Sequence, residues 1–176
     1  VSHTDWEPEM TEPRSRNGCR SERFLKTIVM PNFAAAVDAP DDERHMANAV
    51  LTIDACIGLI HRDLIEDGHH NIPSRDDNYR DQLAETTLDY HLLRDLAAAY
   101  KHGELTGKKP RLLRTTDQMS TIQNELGFLQ CGDELGGNIL IVETSEGKFV
   151  RATDTLFTTV GMARDLVKML TTPEPA

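Results

Sequence analysis

The stretch APDDERHMANAVLTIDACIGLIHRDLIEDG, residues 39–68, repeats its apolar side chains with helical spacing. Ala47, Val50, Leu51, Ile53, Ile57, Ile60, Leu64 and Ile65 recur at steps that place them on adjoining faces of a helix, not on alternate sides of a strand. Asp41 or Asp42 offers a carboxylate to the free N–H groups of the first turn, where negative charge also suits the helix dipole. Gly68 stands just past the last periodic residue, where helices commonly stop. A helix apolar around most of its circumference belongs inside a bundle. The expected fold is therefore mainly α.

Downstream, GHHNIPSRDDN has the composition of a loop. A third helix is expected from about Tyr79 to His102, with Leu88, Leu92, Leu96, Ala99 and Tyr100 as its apolar face and Gly103 as its stop. The second and third helices, joined by a loop of about ten residues, should pack as an antiparallel pair. Upstream, ERFLKTIVMPNFAAAV reads as a helix with a boundary or kink near Pro31, which lacks an N–H to donate. Residues 1–21 mix Pro, Glu, Arg and Ser without apolar periodicity and read as a disordered tail or an extension ahead of the domain at 22–176. Toward the C-terminus the period changes. GNILIVETSEGKFVRAT reads as a β-hairpin at about 138–152 around Ser145-Glu146-Gly147, and MSTIQNELGFLQCG can add a third strand. Thr153 or Asp154 then caps a last helix whose Leu156, Val160, Ala163, Val167 and Leu170 share a face.

A chain of 176 residues suits one such domain. The three cysteines are Cys19, Cys56 and Cys131; they lack C-x-x-C spacing, so neither a disulfide framework nor a zinc ribbon is indicated. With no signal-peptide pattern and no apolar run of membrane length, a cytoplasmic protein without a membrane partner is expected. The net charge of −10 argues against broad non-specific nucleic-acid binding. Between residues 101 and 114, however, Lys101, Lys108, Lys109, Arg111 and Arg114 face Glu104 alone, a local +4 that leaves −14 elsewhere. Such a patch can be an ordinary solvated loop, or it can face phosphate or an acidic partner.

On the third helix, His91, Arg94, Asp95, Ala98 and His102 fall on one stripe opposite the leucines. Imidazole exchanges protons near neutral pH and a guanidinium grips phosphate at two points, which suffices for metal-independent RNA cleavage by an adjacent 2′-hydroxyl. The same stripe is also what an amphipathic surface helix shows, and Lys101 and His102 suit the negative end of the helix dipole.

The succession HMANAVLTIDACIGLIHRDL, a loop, then LRDLAAAYKHGEL resembles bacterial and phage proteins related to HEPN domains. That resemblance spans roughly residues 30–110. It implies a helical bundle, commonly dimeric, and in many members an RNase of a toxin or anti-phage system. The family motif is an Arg, a polar residue and then a His, with four to six residues between Arg and His. Arg94, Asp95 and His102 match it with seven residues between; Arg62, Asp63 and His69 match it with six, across a helix end. Ala98 stands where an Asn is expected in the related stretch.

The resemblance implies Arg94 as phosphate holder, His102 as proton carrier, Asp95 as the group that orients an imidazole, and His91 as an auxiliary. Lys101, Lys108, Lys109 and Arg111 would draw in RNA backbone. A homodimer, with RNA or a cognate protein as partner, goes with that picture. A non-catalytic helical interaction module is the other reading. Metal ligation by His91 with Asp95, or by Asp54 with His61, is conceivable in a bundle, but H-E-x-x-H and E-x-x-H are missing, so no metal and no cofactor are expected. P-loop, G-x-G-x-x-G and G-x-S-x-G signatures are missing as well.

Overall fold

The computed structural model describes residues 19–123 and 136–172. It is a mainly α structure with a small antiparallel sheet ahead of the C-terminal helix. Chain order is α1 (Arg20–Phe24), a π-helical turn (Leu25–Val29), α2 (Met30–Asp38), α3 (Glu43–Glu66), α4 (Asp76–Thr86), α5 (Leu88–His102), a 3₁₀ turn (Thr116–Gln118), β1 (Met119–Gln123), β2 (Asn138–Glu143), β3 (Phe149–Arg151) and α6 (Ala152–Thr171).

The central element is α3, whose Val50, Ile53, Ile57 and Ile60 are fully buried. It packs against α1, α2, α5 and α6, as its nearly all-round apolar pattern requires. Asp42 caps it, accepting hydrogen bonds from the N–H groups of Arg44 (2.9 Å) and His45 (3.2 Å). Ile65, although in phase with the apolar pattern, is exposed at the helix end.

From Arg20 to Asp38 the chain is one continuous rod, and Pro31 does not break it. An ordinary α turn would press the Pro31 ring against the carbonyl four residues earlier. The chain widens instead into the π-helical turn just before it, where the Met30 N–H reaches the Leu25 carbonyl. Helix formation begins at Arg20, so the boundary drawn after residue 21 falls slightly late. Ser21 is buried and its N–H donates to Asp63 Oδ2 at 2.9 Å. The rest of the expected tail, residues 1–18, lies outside the described residues.

The helix expected over Tyr79–His102 is two helices. Thr87 adopts an extended conformation (φ −145°, ψ 124°) and separates α4 from α5. In one straight helix Asp81 and Arg94 would stand about 20 Å apart. Here they form an ion pair, because α4 folds back onto α5. The break also removes Leu88 from the apolar face: as the first residue of α5 it is 64% exposed, while Leu92, Leu96 and Ala99 are buried. Gly103, at φ 77°, ends α5 in a conformation that L side chains rarely adopt.

The sheet order is β1-β2-β3, with Thr121 opposite Leu140 and Val142 opposite Val150. The expected hairpin is present, and its turn places Gly147 at φ 74° with its N–H on the Thr144 carbonyl (2.8 Å). β1 supplies the third strand over residues 119–123; the remainder of that segment lies outside the described residues. The middle strand is buried from Ile139 to Val142. Its Leu140 N–H donates to the Pro40 carbonyl (3.0 Å), and the Ser145 N–H donates to the Leu112 carbonyl (2.7 Å), tying the sheet to the segments flanking the bundle. The last helix starts at Ala152, one residue before the expected cap. Arg151 occupies the N-cap position without a side-chain cap bond. Leu156, Val160, Ala163, Val167 and Leu170 are all buried, in the expected phase. Among the described residues no helix is long and apolar enough to cross a membrane.

Candidate functional site

The polar stripe of α5 faces α4 and the connector that follows α5. That connector carries the basic run and closes on itself, with Leu105 N–H on the Arg114 carbonyl (2.8 Å) and a β-bridge between Glu104 and Thr115. Lys108 is exposed along it, whereas Lys109 and Arg111 turn back toward α4 and α5. Two adjoining hollows result. The first, about 310 Å³ and open to solvent, is lined by Asp54, Asp76, Asp77, Arg80, Arg94, Ala98, Lys101, His102 and Arg111. The second, about 440 Å³, is lined by Asp81, Ala84, Glu85, His91, Arg94, Asp95, Lys109, Pro110 and Arg111. Arg94 and Arg111 belong to both.

Every lysine and arginine that lines the two hollows meets a carboxylate. Asp54, on the buried face of α3, accepts from Arg80 of α4 and, at 2.8 Å, from Lys101 of α5. Arg80 also donates to the Asp54 carbonyl (2.9 Å) and to Asp76 (2.8 Å). Burial opposes the Arg80 charge, but the carboxylates of Asp54 and Asp76 outweigh it and raise the guanidinium above its ordinary value. Arg94 pairs with Asp81 and lies 3.8 Å from Asp77. Lys109 reaches the same Asp81 at 3.1 Å. Desolvation of Asp81 is outweighed by the hydrogen bonds and charges of Arg94 and Lys109 together, which hold its carboxyl below the usual range. A buried phenol lies beside this network. The Tyr90 hydroxyl lies beside Arg80, and burial pushes it well above the usual phenol range.

The residues singled out from the sequence are divided by this geometry. Arg94, Lys101, His102 and Arg111 come together around Ala98 in the first cleft, with His102 exposed at the end of α5. His91 opens into the second hollow. Asp95 lies fully buried at the floor of the second hollow: Arg111 donates to it at 2.6 Å, the Leu112 N–H at 2.7 Å, and His91 Nε2 lies 3.7 Å away. Its closest bonds therefore hold the connector against α5. In the second Arg-polar-His match, Asp63 is committed to Arg20 and to the Ser21 N–H, while Arg62 and His69 are exposed.

In both metal pairings raised by the sequence the carboxylate is engaged by cations, Asp95 by Arg111. Asp54 is held by two cations, and His61 bonds through Nε2 to the Pro73 carbonyl (2.6 Å) with its ring stacked on Tyr79. Among the described residues no group of three or more His, Cys, Asp or Glu is placed to hold a metal ion.

Sequence reasoning missed Arg80, Asp77, Asp81 and Tyr90, and it read Asp54 only as a candidate metal ligand. A signal was present. Asp54 interrupts the apolar face between Ile53 and Ile57, and a carboxylate there demands a buried cation. Comparisons with protein-family models, with curated proteins and with solved structures find no match to this chain.

Proposed function

We propose that the chain is a HEPN-like helical protein whose first cleft cleaves RNA without a metal, in the setting of a bacterial or phage toxin or defence system. The observation that carries this reading is that Arg94 and His102 line one solvent-open cleft, beside Lys101 and Arg111. In the proposed reaction Arg94 holds the phosphodiester and an imidazole accepts the 2′-hydroxyl proton. The 2′-oxygen bonds to phosphorus, the bond from phosphorus to the 5′-oxygen breaks, and the departing oxygen takes a proton. A homodimer would supply a second His102 for that last transfer.

One observation favours a second reading, a non-catalytic module that binds a protein partner or its own copy. Arg80, Arg94, Lys101, Lys109 and Arg111 are all engaged by aspartates, which neutralises the cleft. The deciding experiment is RNA cleavage in EDTA by the wild type, His102→Ala and Arg94→Ala, with circular dichroism to show that all three fold. Cleavage by the wild type that both substitutions abolish supports the nuclease. Three folded, inactive proteins favour the binding module.

A further inference from the structure

We propose that the Asp81 carboxylate, with Asp77 beside it, occupies the place of a phosphodiester on Arg94 and Lys109, so that an RNA backbone binds by exchanging with it. This deepens the reading of the cleft as an RNA site and rests on it. A single carboxylate here sits between a guanidinium from α5 and an ammonium from the connector, at 3.1 Å from the latter. A phosphodiester presents the same kind of acceptor, two oxygens sharing one negative charge, and a guanidinium fork accommodates either.

Which pairs can exchange follows from which partner is wet. Asp54 and Asp95 are sealed, with side chains 8% and 1% exposed, so neither can leave its cations without carrying a bare charge through the protein. Around Arg94 the order is reversed. The guanidinium is 17% exposed, whereas Asp81 is 42% and Asp77 is 68% exposed. Asp81 can swing into water by side-chain rotation while α4 stays anchored through Arg80 and Asp54. A phosphate oxygen then takes over the two donors. Asp81 thus acts as an internal competitor that weakens binding of a lone phosphate, and a ligand with several phosphates in a row overcomes it through further contacts to Lys101 and the exposed Lys108.

The test measures binding of a fluorescent 2′-O-methyl oligouridylate, which lacks the attacking hydroxyl, by anisotropy at low salt in EDTA. Asp81→Asn should tighten binding roughly three- to fivefold over the wild type, the range set by losing one partly exposed ion pair. Asp165→Asn makes the same charge change at an exposed site on α6 and should stay near the wild-type value. Equal affinities for Asp81→Asn and Asp165→Asn, or no binding by any of the proteins, would overturn the exchange. Asp77→Asn carries the same expected sign and decides the matter if Asp81→Asn does not fold. Cleavage of unmodified RNA, assayed in parallel, keeps the two ideas apart. Tightening without wild-type cleavage sinks the nuclease and leaves the exchange standing, while cleavage without tightening sinks the exchange alone.

Discussion

Arg80 lies across α3 at Gly58, where an added Cβ would stand 2.6 Å from its Nη2. The end of a long side chain can usually step aside from such a clash. This one is held by Asp54 and Asp76, so moving it breaks the ion pairs that join α4 to α3. Gly58→Ala should therefore lower Tm. Gly161→Ala, inside α6 with nothing within 4 Å, should stabilise by up to about 1 kcal/mol through helix propensity. Differential scanning calorimetry of the two variants reads both signs. Asp54→Ala removes the buried partner of an Arg80 side chain that is only 12% exposed. It should cost on the order of 3 kcal/mol in urea denaturation, because a buried cation is left half-paired. A loss below about 1 kcal/mol would mean that Arg80 finds water instead.

Among the helices, the cap of α3 has a pH signature. Hydrogen bonds from the His45 and then the Arg44 N–H hold the Asp42 carboxyl below its ordinary value. A carboxylate lowered on folding contributes fully above its unfolded pKa, about 3.9, and that contribution is lost as pH falls through the folded value. Asp42→Asn keeps an acceptor for both N–H groups but loses the titration. The Tm gap between wild type and variant should narrow as pH drops from about 6 to about 2, and a gap constant over that range would contradict the assignment. This cap was legible in the sequence, as were α3, the sheet and the buried face of α6, because each follows from local periodicity or turn chemistry. The split at Thr87 was not. The pattern through Leu88, Leu92 and Leu96 runs in helical phase right up to the break, so periodicity alone does not place residue 87 outside a helix. That omission hid most of the site, since Asp77, Arg80 and Asp81 reach Arg94 and Asp54 only after α4 folds back.

Across the molecule, cohesion is unevenly distributed. α3 buries side chains along its whole length, whereas Tyr79 is the only buried residue of α4. The ion pairs that supplement Tyr79 include exposed carboxylates, which salt screens. Native-state hydrogen exchange should find α4 amides opening well before those of α3, with the gap widening as salt is added. Similar protection in the two helices would show that α4 opens only with the whole fold.

The ties from β2 have a kinetic consequence. The Leu140 N–H bonds to the carbonyl of Pro40, joining chain segments separated by α3, α4, α5 and β1. A loop that long closes late, after the helices it encloses have paired. The docking of the hairpin is accordingly expected to come last, with its contacts contributing little at the rate-limiting step of folding. Ile141→Val should leave the refolding rate almost unchanged and speed unfolding instead, which a chevron plot resolves. The small sheet would then act as a clasp, setting how long the assembled bundle persists more than how quickly it forms.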